Sequence, residues 1–295
     1  SSTLESLSKL KGAFPVGPES AAIQEQGRKI AAFSAMLACA ALLLGGCGAE
    51  KAVEKTDKSV KPVIVVGSDN YPPYNYEDVD GRPTGIDVDL ATEAFARMGY
   101  KAVFSVIDWE AKKELVESGE IDCIWGSFSI DGREDQYRWS APYMVSRQVV
   151  AVRSDSDIYT LADLAGRRVA VQTTTKPEDI FLSHDDPRIP AVGEIFSMQN
   201  RELMYPFLSK GYVDAVAAHE TAILQCMADY GLEYRILDEP LLTVGLGVAF
   251  AKEDERGLEK ALSAVFEEMR EDGTMEQIIG QYLDEPRGYM GGGDR

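Results

Sequence analysis

Short continuous apolar runs alternate along this chain with stretches whose apolar residues recur every three or four positions. The first pattern predicts strands buried on both faces, and the second predicts helices with one apolar stripe. Pro62 to Gly67 is a β-branched run closing on glycine, predicted as a strand. Gly85 to Tyr100 sets Ile86, Leu90, Ala94 and Met98 four apart, with Phe95 widening the stripe, and is predicted as a helix. Ala102 to Ile107 is predicted as a strand, and Trp109 to Ser118 as a short helix stopped by Gly119. Two further strands are predicted at Ile121 to Gly126 and Val149 to Arg153.

The rhythm restarts after Ser154-Asp155-Ser156-Asp157. Thr160 caps a short helix to Leu164 that Gly166 stops. Strands follow at Arg168 to Val171, Val192 to Phe196, Val213 to Ala217 and Tyr234 to Leu237, with helices at Pro177 to Leu182, Arg201 to Ser209 and Thr221 to Tyr230. Leu242 to Ala251 is predicted as one more strand, before helices at Glu253 to Arg270 and Thr274 to Leu283. The glycine-rich tail, Gly288 to Arg295, is expected to fray. Alternating β and α units predict parallel sheets with helices on both faces. The restart, and the late return of a strand, predict two α/β lobes, the second inserted into the first. The expected division is residues 62–152 and 243–295 for lobe 1, and residues 153–242 for lobe 2. A cleft between such lobes, at strand carboxyl ends, is the expected ligand site.

Composition narrows the function. The chain has 295 residues, 45% of them apolar, and a net charge of −19, so it can bury a core and repels nucleic-acid phosphate. Its four cysteines (Cys39, Cys47, Cys123, Cys226) form no CxxC pair, and its two histidines, His184 and His219, lie far apart. No metal site of the usual ligand spacing is predicted, and no cofactor. Cys123, in a strand, and Cys226, in a helix, are expected as buried free thiols.

Arg28-Lys29 precede an uncharged apolar run, Ile30 to Gly46, the layout of a secretory signal. Its end, Leu44-Gly45-Gly46-Cys47, resembles the lipobox of bacterial lipoproteins, which implies lipidation at Cys47. An uncleaved anchor helix is the alternative, and both place the remainder outside the cytoplasm. Residues 1–47 are thus expected as an extension plus signal peptide. Residues 48–61, rich in Lys and Glu, are expected as a flexible tether to the membrane.

The stretch GSDNYPPYNYEDVDGRPTGIDVDLATEAFARMGY opens a series of motifs. SGEIDCIWGSFSIDGRE, WSAPY, LADLAGRRVAVQTTTKPE and GYVDAVAAHETA follow in order, and VAFAKEDERGLEKALSAVFEEMREDGTMEQIIGQYL closes it. Together, over roughly Pro62 to Leu283, they resemble family 3 of the bacterial extracellular solute-binding proteins, the polar amino-acid receptors of ABC importers. The resemblance implies a periplasmic-binding-protein-like type II fold, a Venus flytrap of two hinged α/β lobes. It also implies a monomer that closes on a free amino acid and delivers it to a membrane permease.

A free amino acid presents a carboxylate and an ammonium, and both need partners once desolvated. In the family pattern an Arg stands six residues before a Phe-Ser pair. Arg133 stands six before Trp139-Ser140, so the resemblance implies that Arg133 holds the carboxylate. Arg138, Glu134 and Asp135 are expected in solvent. Ser127 and Ser129 leave a strand on alternate residues and so are expected on one side, where the family contacts its ligand. Asp131 stands near a position where the family commonly has Thr, and is expected to cap a turn. Thr174 and Thr175, before a helix, are expected to offer backbone N–H groups to the carboxylate. Tyr71 and Trp109 match positions that sandwich the ligand side chain. Asp69, at the end of the first strand, matches one that reads it. The acidic body and Asp69 lean toward a polar or cationic ligand. By spacing, the acid that the family sets against the ammonium falls on His219, with Glu220 next to it, and Glu220 is the candidate.

Two other functions compete: a dehydratase-like enzyme of the same fold, and a sensor module. An enzyme needs a general acid or base, and the His219–Glu220 pair is the candidate for it.

Overall fold

The computed structural model describes residues 61–290. The apolar run, Cys47 and nearly all of the tether lie outside the described residues.

The chain enters at β1 (Val63–Ser68), makes a small hairpin of β2 (Tyr76–Glu77) and β3 (Pro83–Thr84), and continues through α1 (Ile86–Arg97) to β4 (Lys101–Val106). A 3₁₀ turn at Trp109–Ala111 leads into α2 (Lys112–Ser118), then β5 (Cys123–Ile124) and β6 (Arg138–Trp139). The long strand β7 (Met144–Arg153) follows, then β8 (Arg168–Gln172), α3 (Lys176–Ser183) and β9 (Glu194–Met198). Next come α4 (Met204–Ser209), β10 (Ala215–His219), α5 (Glu220–Tyr230), β11 (Tyr234–Ile236) and β12 (Leu242–Leu246). The chain closes with β13 (Ala249–Phe250), α6 (Leu258–Glu271) and α7 (Thr274–Ile279).

These strands form two main sheets, ordered β4-β1-β5-β13-β6 and β11-β7-β10-β8-β9, with β12 also paired to β7. Both are mixed rather than wholly parallel. β1 is parallel to β4 and β5, but β13 runs against β5. β8 is parallel to β9 and β10, but β7 runs against β10, β11 and β12. The continuous apolar runs follow from burial on both faces. In β7, Val150 and Val152 join one core cluster, and Val149 and Ala151 join the other. Val169 and Val171 of β8 repeat this against Ala170, so helices cover both sides. In the first sheet, α1 and α6 place Phe95 and Phe266 against Trp125, at 5.9 and 5.5 Å between ring centroids. Each such fully buried aromatic contributes about 1.5–3 kcal/mol.

The chain crosses between sheets twice, once between β6 and β7 and once between β12 and β13. The crossings are tied together where Tyr143 N donates to Leu246 O at 2.9 Å and Gly247 N to Phe128 O at 3.0 Å. At Gly247 a Cβ would meet the Ile130 side chain at 2.7 Å, so any larger residue at the second crossing would have to displace Ile130.

Several elements depart from the sequence expectation. The run at Leu242 to Ala251 is two strands in two sheets, because its apolar residues stay buried through the crossing. β7 begins at Met144, so residues expected at the end of lobe 1 are hydrogen-bonded into the second sheet. β10 starts two residues late and takes in His219. β5 is only two residues long, since the chain turns away at Gly126 and Ser127. The tail does not fray as far as Met290: Tyr289 and Met290 pack on the core of the first lobe. Cys123 and Cys226 are buried free thiols, and burial pushes Cys226 up to about 12.

Candidate functional site

One pocket opens between the two sheets, with walls from both lobes. From the first lobe come Tyr71, Trp109, Ser127, Ser129 and Arg133. Facing them from the second are Thr174, Thr175, Lys176, Arg201 and His219. Seven of the nine residues expected at the ligand therefore share one wall-to-wall space.

Local backbone explains part of this. Ser127 has φ 46° and Thr174 has φ 57°, a left-handed conformation that L residues adopt at a cost of about 1–3 kcal/mol. Both positions line the pocket, one from each lobe. Ser127 is held by its N–H, which donates to the buried carboxylate of Asp87 at 2.7 Å. At Gly126 a Cβ would meet Ser68 Oγ at 2.2 Å, so this corner folds tightly onto β1. Ser127 and Ser129 both line the pocket as expected, but through this corner and not by strand alternation.

Arg133 is buried and donates Nη2 across the cleft to Asp179 Oδ2 at 2.8 Å and to Thr174 O at 3.4 Å. Its own backbone carbonyl accepts Trp139 Nε1 at 3.0 Å. Asp131 does not cap a turn; it pairs with Lys176 of the opposite lobe at 3.2 Å. Arg138 is half exposed and donates to Lys252 O. The Thr174 N–H is taken by Glu178 Oε2 at 2.6 Å, and Thr175 Oγ1 donates to Gln172 O at 2.6 Å. The helix thus caps itself with Glu178, leaving the Thr174 N–H no free direction toward a ligand.

Trp109 packs edge-to-face on Phe128 with centroids 5.3 Å apart. Lys112, one turn on, sits over the Trp109 ring at 4.8 Å and donates to Thr174 Oγ1 at 2.8 Å, bridging the lobes. Burial, and then the nearby Arg133 charge, push Lys112 down to about 8. Tyr71 carries Arg201 on its ring face, 3.1 Å from Cζ to centroid. Asp69 lies behind this pair, outside the main pocket and in the adjoining cleft. It accepts Arg201 Nη2 at 2.8 Å and Gln172 Nε2 at 2.9 Å. A carboxylate expected to read a ligand side chain is therefore engaged by the protein itself.

His219 and Glu220 diverge. His219 ends β10, is buried, and lines the pocket. Gln148 Nε2 donates to its Nε2 at 2.9 Å, so the ring proton sits on Nδ1 and donates to Ser146 Oγ at 2.8 Å. Burial first, and Arg201 second, push its pKa down to about 3, so the ring is neutral. Glu220 begins α5, turns out of the pocket, and pairs with Arg147 at 2.9 Å. The candidate acid for the ammonium is thus outside the pocket, and the acid–base pair an enzyme would need does not converge.

The sequence reading missed Lys112, Gln148, Gln172, Lys176 and Arg201. Lys112, Lys176 and Arg201 start helical turns and Gln172 ends a strand, where a solvated role is the ordinary one, while Gln148 lies buried in the middle of β7. Among the described residues no group of three or more His, Cys, Asp or Glu is placed to hold a metal ion.

Two hinged α/β lobes around a polar, aromatic-walled cleft define a binding protein of the periplasmic type. The sequence matches the bacterial extracellular solute-binding proteins, family 3, over residues 63–285, and the chain belongs to that family. It is therefore an extracytoplasmic substrate-binding protein. It is 31% identical to the histidine-binding periplasmic protein of Salmonella typhimurium over 231 residues, covering 75% of this chain and 87% of that one. A substrate-binding protein of an ABC uptake transporter from Streptococcus pneumoniae, solved with bound histidine, superposes with a TM-score of 0.71 at 26% identity, covering 76% of this chain and 93% of that one. An ancestral arginine-binding protein bound to arginine gives 0.69 at 25% identity, covering 76% of this chain and all of that one.

Proposed function

We propose that this protein captures a free amino acid between its lobes and hands it to the permease of an ABC importer. The observation that carries the reading is the buried Arg133 set beside Ser127 and Ser129 in one pocket walled by Tyr71 and Trp109. A guanidinium in a fixed fork meets a carboxylate bidentately, hydroxyls complete its hydrogen bonds, and aromatic faces hold the apolar part of the ligand. The ligand names of its relatives, histidine and arginine, support the amino-acid class. Residues 62–143 and 247–290 form the first lobe, and residues 144–246 the second. Ligand shifts an open–closed equilibrium by touching both at once. The mature chain begins at a lipidated Cys47 and is tethered to the membrane by residues 48–61, as a monomer.

A thermal-shift screen over the amino acids tests this. A ligand at about 100 times its Kd adds about 2.7 kcal/mol, several degrees in Tm. No shift with any amino acid rejects the ligand class, and conversion of the ligand rejects a pure binding role.

A further inference from the structure

The charge on the pocket wall is one-sided. Among the described residues, Arg133, Lys176 and Arg201 line it and no Asp or Glu does. Lys112 stands just behind, bonded to Thr174. The carboxylates that pair with these cations are placed elsewhere. Asp179 and Asp131 are half exposed, where water and salt screen them. Asp69 is buried but faces the adjoining cleft and already accepts from Arg201 and Gln172. Donor capacity is left over: Arg201 Nε and Trp109 Nε1 are buried without an acceptor. A buried donor lacking a partner costs free energy that a ligand acceptor would recover. On the acceptor side the pocket offers only neutral groups, among them Gln148 Oε1, which is buried and unpartnered.

Resting on the amino-acid reading above, we propose that the solute is an acidic amino acid. One carboxylate lies on Arg133, the side-chain carboxylate faces Arg201 and Lys176, and the ammonium is held by neutral acceptors, Gln148 Oε1 foremost. A cationic side chain would enter a space with three cations on its wall and no acid to receive it. This reverses the lean toward a cationic ligand drawn from Asp69, because that carboxylate pairs with Arg201 through Oδ2 and lines the adjoining cleft instead of this pocket.

Isothermal titration of the purified full chain with glutamate, aspartate, glutamine, asparagine, arginine, lysine and histidine tests it. Glutamate or aspartate should bind at least about tenfold more tightly than its amide, with the basic amino acids weakest. Arginine, lysine or histidine binding tightest overturns the proposal, as does an amide binding as tightly as its acid. Either result leaves amino-acid capture standing. Binding of no amino acid overturns the capture reading, and the proposal with it. Arg201→Gln removes one wall charge and releases Asp69. It should shift the glutamate-to-arginine preference toward arginine by about tenfold or more. An unchanged preference in the folded variant overturns the role given to Arg201. Should the variant not fold, the ranking on the wild-type protein decides.

Discussion

Arg201 of the second lobe donates to Asp69 of the first at 2.8 Å, and both side chains are about nine-tenths buried. This pair closes the back of the cleft. Breaking a buried pair by removing one partner costs about 3–5 kcal/mol, because the remaining charge loses its compensation. Here the cost falls on the closed arrangement, since opening the lobes returns Arg201 to water. Asp69→Ala should therefore shift the ligand-free protein toward an open form. Small-angle scattering should show a larger radius of gyration than wild type, and an unchanged radius contradicts the pair's role.

Arg133→Ala should cost about a hundredfold or more in ligand affinity, since a charged hydrogen-bonded partner of a buried carboxylate is worth several kcal/mol. Its ion pair with Asp179 spans a half-exposed carboxylate, so the ligand-free melting temperature should change little. Titration and melting curves on the same variant separate the two effects. Normal binding would remove Arg133 from the site.

Glu220→Gln should leave ligand affinity within about twofold. Its carboxylate meets Arg147 outside the pocket, and such part-exposed pairs contribute about 0–1 kcal/mol. A tenfold loss in titration would place Glu220 at the ligand after all.

Two buried groups should oppose each other in the pH dependence of stability. His219 is pushed down to about 3 from an ordinary value of 6.5. Below about pH 6.5 the unfolded chain takes up a proton that the folded chain refuses, so stability falls as pH drops toward 3. Burial pushes Asp87 up to about 7 from 3.8. Its contribution is fully present below pH 3.8 and is lost as pH rises through about 7. The slopes cancel between about pH 4 and 6.5. Relative to wild type, His219→Gln should make stability fall with rising pH across that window, and Asp87→Asn should make it rise. Urea unfolding at a series of pH values measures both. Parallel curves for all three proteins contradict the assignment.

Much of the fold was legible because it rests on local pattern. The apolar runs at Val63–Ser68 and Arg168–Gln172 and the stripe Ile86–Leu90–Ala94 report burial directly. Arg133 was legible through its six-residue spacing to Trp139-Ser140, a pattern of the resemblance, and it lines the pocket. What was not legible depends on contacts between lobes. Nothing near Arg201 says that it will lie on Tyr71, and nothing near Lys112 says that it will reach Thr174. The Glu220 expectation failed by a single residue. β10 runs on to His219, which keeps that side chain on the cleft side, and the helix then turns Glu220 away. A one-residue difference in where a strand ends exchanges the inward and outward side chains.

The central claim, reversible capture of an amino acid between the lobes, is tested most directly by equilibrium dialysis of the purified protein against a mixture of amino acids, with mass spectrometry of the retained fraction. The account predicts one amino acid retained at one per chain, chemically unchanged, and lost on Arg133→Ala. Retention of none, or recovery of a converted product, would contradict it.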